Sequence, residues 1–140
     1  MSAEADNVAT LKRAYEMWGE IGEQAFETWM NLFDDEVEFG SLADGAPGME
    51  FTARASEKGD VRRYFQRLAQ DWEMVHFYAH QFIAQGDYVV MRGECRWRNR
   101  HTNKQVSTPK ADFFRMQGGR VVEFFEFYDT AAAFAAARKD

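Results

Sequence analysis

Two patterns of apolar spacing divide this chain. Over residues 7–20, Val8, Leu11, Tyr15 and Trp18 recur at helical intervals, while Lys12, Arg13 and Glu16 fall on the opposite side. This predicts an amphipathic helix broken by Gly19 and Gly22. A second short helix is expected over 23–33, from Glu23, burying Phe26, Trp29, Met30 and Phe33. Val37, Glu38 and Phe39 alternate as a brief strand. Residues 40–59, rich in Gly, Ala and polar side chains and holding Pro47, read as an irregular flap with one short strand near 49–53. Asp60 is the expected N-cap of a third helix over 60–71, with Val61, Tyr64, Phe65, Leu68 and Trp72 as its apolar stripe.

Beyond Trp72 the period changes to two. Residues 75–84 and 88–100 are strands joined by a Gly86-Asp87 turn. In the second strand Arg92, Glu94, Arg96 and Arg98 alternate with Gly93, Cys95 and Trp97, which means one wet face and one buried face. Two further aromatic strands flank Gly118-Gly119, a strong hairpin signal, and Asp129 caps a final alanine-rich helix. Helices followed by four consecutive antiparallel strands, from about 75 to 129, define an α+β class. No repeat, linker or composition shift divides residues 1–140, so they form a single domain.

The last hairpin carries the chemistry. Lys110, Asp112 and Phe114 share one face of its first strand, and Phe124, Glu126 and Tyr128 the facing side of its second. A three-residue turn at 117–119 would set Lys110 opposite Glu126 and Asp112 opposite Phe124. Two carboxyl groups in an aromatic-walled cavity raise each other's pKa and suit acid/base work, so Asp112 and Glu126 are the candidate catalytic pair. The structural alternative is a Lys110–Glu126 cross-strand ion pair, with Asp112 bonded to a hydroxyl or water. Trp18, Phe39, Tyr64 and Trp97, with Lys110, Phe114, Phe124 and Tyr128, are the candidate ligand-lining residues.

A net charge of -6 argues against nucleic acid or an anionic membrane as partner. The single cysteine, Cys95, fits a reducing compartment, and the N-terminus has no apolar signal core, so a cytoplasmic location is expected. His76 and His80 share a strand face but lack a third ligand at recognisable spacing, so no metal is expected. Phosphate-loop, dinucleotide and nucleophile-elbow motifs are lacking, and no cofactor is expected.

Several motifs together resemble the nuclear transport factor 2-like superfamily, and within it the SnoaL-like group. They are Leu32-Phe33-Asp34-Asp35 before Val37-Glu38-Phe39, Gly86-Asp87 before Val89-Val90, Gly119-Arg120-Val121-Val122, and Phe127-Tyr128-Asp129-Thr130 running into a helix. The resemblance implies a cone-shaped, curved antiparallel sheet packed on three N-terminal helices. It also implies a homodimer with its sheets back to back, which the aromatic outer face supports. The function it implies is a pocket for a small, mostly apolar molecule with a carbonyl or hydroxyl. That pocket would serve either isomerase- or cyclase-type proton transfer without a cofactor, or ligand binding alone.

Ketosteroid isomerases share that fold, and their strand around a protonated, hydrogen-bond-donating aspartate resembles residues 109–115, which places Asp112 inward. Their oxyanion tyrosine falls at Ala14, with Tyr15 one residue and so about 100° round the helix. Their general base falls near residues 39–41, where no carboxylate stands, so steroid isomerisation is not expected. Limonene epoxide hydrolase has an aspartate–arginine–aspartate set. Glu126 matches one aspartate, but Gly93 and Cys95 occupy the other two places, so epoxide hydrolysis by that triad is not expected either.

Overall fold

The computed structural model describes residues 2–21 and 25–139. Helix α1 spans Ala3–Ile21 and turns Leu11, Ala14 and Tyr15 to the interior. It starts earlier than the apolar stripe predicts and runs through Gly19, since one glycine weakens a helix by only about 1 kcal/mol. Gly22 and Glu23 lie outside the described residues. Helix α2, Phe26–Leu32, buries Trp29 and Met30. Phe33 belongs instead to strand β1, Phe33–Ser41, which is three times the expected length.

The flap departs from expectation as well. Residues 49–53 hold a single 3-10 turn, Glu50–Thr52, and the short strand β2 follows at Ala55–Glu57. Helix α3, Lys58–Asp71, begins two residues before Asp60. Asp60 therefore lies in the first turn, where it pairs with Arg63 and favours the helix dipole, and it caps nothing.

Four long strands follow: β3 Trp72–Gln85, β4 Tyr88–Asn99, β5 Gln105–Gln117 and β6 Arg120–Tyr128. The order across the sheet is β2-β1-β6-β5-β4-β3. The expected antiparallel run from β3 to β6 is present, but β1 joins β6 in parallel, so the sheet is mixed. The curved, unclosed sheet holds the aromatic core against α1, α2 and α3. Helix α4, Thr130–Ala137, is capped by Asp129, whose Oδ1 accepts the Ala132 N–H at 3.0 Å.

Strand parity holds in β4. Cys95 is buried and Trp97 partly so, while Arg92, Glu94 and Arg96 are exposed. At Gly93 the pairing with β3 slips between Ala79 and Gln81, and a Cβ there would stand 2.1 Å from the Tyr78 carbonyl oxygen. Only glycine fits this approach.

The register of the last hairpin differs from the expected one. Gly118 and Gly119 both have positive φ, 57° and 79°, as a two-residue hairpin turn requires, and Gln117 pairs with Arg120. A bulge then inserts Val122 between the Arg115–Glu123 and Met116–Val121 pairs. Turn and bulge together move the pairing two residues from the expected register, so parity survives while every partner changes. Lys110 faces Tyr128, Phe114 faces Phe124, and Asp112 stands directly opposite Glu126.

Candidate functional site

Asp112 and Glu126 are 3% and 5% exposed, deep on the concave face of the sheet. Lys110, two residues before Asp112 on the same face, reaches both. Its Nζ donates to Asp112 Oδ1 at 2.5 Å and to Glu126 Oε1 at 2.9 Å. The second oxygen of each carboxyl group is met from the helix layer. Tyr15 on α1 donates its hydroxyl to Asp112 Oδ2, and Tyr64 on α3 donates to Glu126 Oε2 at 2.5 Å. The result is a continuous chain, Tyr15–Asp112–Lys110–Glu126–Tyr64, in which every carboxyl oxygen has a partner. Beside it Ser41 and Tyr128 share a hydrogen bond of 2.6 Å. The Lys110 ammonium also lies 5.8 Å and 6.0 Å from the ring centres of Phe77 and Phe124.

Burial dominates the electrostatics. It pushes Asp112 above the usual carboxylate range; the Lys110 charge opposes this and the Glu126 charge adds to it. Burial alone would depress Lys110, but the charges of Asp112 and Glu126 outweigh it and hold the ammonium protonated, above the ordinary lysine value. Burial, then the carboxylates beside them, raises Tyr15 and Tyr64 well above an ordinary phenol. Burial and Glu126 push Tyr128 up to about 12. Burial raises the Cys95 thiol to about 11, against the pull of Lys110 and a Trp97 hydrogen bond, so it is not a nucleophile at neutral pH.

The chain of polar groups faces a cavity of about 110 Å³ with largely aromatic walls. Seven of the eight residues expected to line it do so: Trp18, Phe39, Tyr64, Trp97, Lys110, Phe124 and Tyr128. Phe114 does not. It has no exposed surface and sits behind the cavity, its ring against Tyr15, Trp29 and Phe124. Trp29 lines the cavity too, and its indole N–H is buried without a hydrogen-bond partner among the described residues. Among those residues no three His, Cys, Asp or Glu side chains converge as a metal site.

Tyr15 is the member that sequence reasoning missed. Its offset of about 100° from position 14 was expected to carry it off the site. In fact Ala14 and Tyr15 are both buried, 1% and 5% exposed, because the face of α1 turned to the sheet is broad, and the long phenol covers the remaining distance. The epoxide hydrolase comparison also finds its physical cause. The Tyr78 carbonyl occupies the space that any side chain at position 93 would need.

A curved mixed sheet packed on helices, with ionisable groups lining an aromatic cavity, defines an α+β domain. Residues 11–124 match the SnoaL-like domain, and the chain belongs to that family. Solved structures agree on the fold. A nuclear transport factor 2-like protein of unknown function from Burkholderia pseudomallei superposes with a TM-score of 0.81 at 18% identity, over 98% of both chains. A protein from Jannaschia named for its likeness to SnoaL polyketide cyclases gives 0.77 at 16%, over 98% of this chain and 95% of its own. TerC, co-crystallised with polyporic acid, gives 0.78 at 14%, over 94% of this chain and 98% of its own. Among curated proteins none has a significantly similar sequence.

Proposed function

We propose that this protein is a cofactor-free proton-transfer enzyme, of isomerase or cyclase type, acting on a small, mostly apolar carbonyl compound. One observation carries the reading: two buried carboxyl groups stand directly opposite each other with a single ammonium between them. With both acids ionised the cluster holds one surplus negative charge in an apolar cavity, and one bound proton makes it neutral. In this proposal Asp112, whose neutral form burial favours, carries that proton and Glu126 is the base.

A protonated Asp112 donates to the Tyr15 oxygen and turns the Tyr15 O–H toward the cavity. There the phenol, with the third N–H of Lys110, holds a ligand carbonyl oxygen. Glu126 removes a proton from the adjacent carbon as negative charge moves onto that oxygen. Returning the proton to another carbon shifts a double bond; no atom is lost and no electron leaves the pair. The unpartnered Trp29 N–H supplies a further donor for an acceptor on the ligand. That TerC was crystallised with polyporic acid supports a small-molecule pocket in this fold.

A second reading, a binding module without turnover, is favoured by one fact: all four carboxyl oxygens are already hydrogen-bonded within the protein. Deuterium exchange separates the two. With 2-tetralone in D2O, the enzyme reading expects loss of the α-proton NMR signals well ahead of the buffer rate, and the module expects no acceleration. Carbon-detected titration of Asp112 tests the premise. A midpoint above the ordinary value of about 4 is expected, and one at 4 would remove the acid from the mechanism.

The chain is further proposed to act in the cytoplasm as a homodimer. Among the described residues no helix is long and apolar enough to cross a membrane. Tyr78, Ile83, Tyr88 and Phe127 on the strands are 41–54% exposed, the kind of apolar surface that a second copy covers. Sedimentation at micromolar concentration should give twice 16.3 kDa; a species of 16.3 kDa alone would exclude the dimer.

A further inference from the structure

A second cavity, of about 360 Å³, adjoins the first. The two share a wall of Trp18, Phe65, Leu68, Trp72 and Trp97. The outer chamber is completed by residues the inner one does not touch, among them Phe26, Ala69 and Met74, with Gln66, Glu73 and Arg100 its polar side chains among the described residues. Glu73 is held by Arg98 and Arg100, so its charge is already paired. Among the described residues the outer chamber therefore offers area for stacking and burial and no unmatched charge. The inner chamber has the converse character: all the proton-transfer groups, but only about 110 Å³, room for little more than a single ring.

We propose that the two chambers take one bipartite, uncharged ligand, with a compact oxygen-bearing head against Lys110 and Asp112 and an aryl body in the outer chamber. Neither chamber alone combines placed polar groups with the volume typical of a ligand site, and together they do. Trp18 and Trp97 belong to the shared wall and are only partly buried. The body is neutral and aromatic because the walls are rich in rings and, among the described residues, the charges at the rim, Glu73 and Arg100, are paired. This assignment rests on the inner chamber holding the reactive end, and extends it to the class of molecule attached.

Phenol and 4-phenylphenol, which differ by one ring, are the probes. In protein carrying 13C-labelled methionine methyls, Met49 reports on the inner chamber and Met74 on the outer. Phenol should shift Met49 alone. 4-Phenylphenol should shift both and bind at least about tenfold more tightly, a small part of what burying a second ring can contribute. Ala69→Phe, which fills only the outer chamber, should bring 4-phenylphenol down to the affinity of phenol and leave phenol unchanged. If 4-phenylphenol leaves Met74 unmoved, or keeps its advantage in the Ala69→Phe protein, the bipartite site is overturned. The underlying reading fails in a different place. If Asp112→Leu leaves phenol affinity and the Met49 shift as they are, the carboxyl network does not hold the head group, whatever Met74 reports.

Discussion

Replacing Glu126 with glutamine is expected to slow α-proton exchange of 2-tetralone by a factor of about 10² to 10⁴, the range that a positioned general base supplies. The substitution keeps the shape of the side chain and removes its basicity. Ionised Asp112 and Lys110 then form a one-to-one pair that is neutral without a bound proton, so the fold should persist. One strain is introduced. Glu126 accepts from Lys110 on one oxygen and from Tyr64 on the other, and an amide can accept on only one side. Its NH2 then faces Tyr64, whose hydroxyl must turn from donor to acceptor, and a fall in melting temperature of a few degrees should accompany the loss of exchange. Exchange at the parental rate in a folded Glu126→Gln protein would show that the proton leaves by another route.

The second large effect concerns Lys110. Lys110→Met should cost about 3–5 kcal/mol at neutral pH, as is usual when one partner of a buried ionic cluster is removed and the others stay behind. The Lys110 side chain is 11% exposed and holds two carboxyl groups that are almost fully enclosed, so solvent offers them little compensation. The pH dependence has a definite sign. Lys110 is raised above its ordinary value in the folded protein, so its contribution is complete below that value and persists through the alkaline range in which the fold can be measured. Asp112 is also raised, so the folded state gains stability as pH falls toward 3.8 and loses it as pH rises through the folded value. In Lys110→Met only the Tyr15 hydrogen bond still opposes that rise, and the window moves upward. The variant should thus be closest to the parent in acid and fall furthest behind it above neutrality. Urea titrations at several pH values would check this, and a deficit independent of pH would mean that Lys110 acts through packing alone.

Much of this site was legible because strand parity is robust. Alternation alone placed Lys110, Asp112, Phe124, Glu126 and Tyr128 on one face, and a pairing shift of two residues cannot change a face. The partners were not legible, since they depend on the turn length at Gly118 and on where Val122 bulges, and neither leaves an apolar pattern to read. The parallel seating of β1 against β6 was hidden for a related reason: it joins segments some 85 residues apart, and pairing at that distance follows from packing and not from local propensity. Tyr15 was missed by treating a helix face as a narrow stripe. Phe114 was misplaced because parity says which side of a sheet a ring is on, and nothing about whether another ring stands in front of it.

The chain of hydrogen bonds also fastens α1 and α3 to β5 and β6, since each tyrosine comes from a helix and each carboxyl group from a strand. On the proposed function, support and reactivity are vested in the same five side chains, and selection could seldom alter one role without disturbing the other. The outer chamber is under no such double duty. Gln66 and Ala69 border it from α3, and none of the five lines it, so on the two-chamber proposal exchanging them would redraw which molecules are admitted while the proposed reactive centre stays as it is. A lineage built on this arrangement would diversify at its doorway and keep its hearth unchanged.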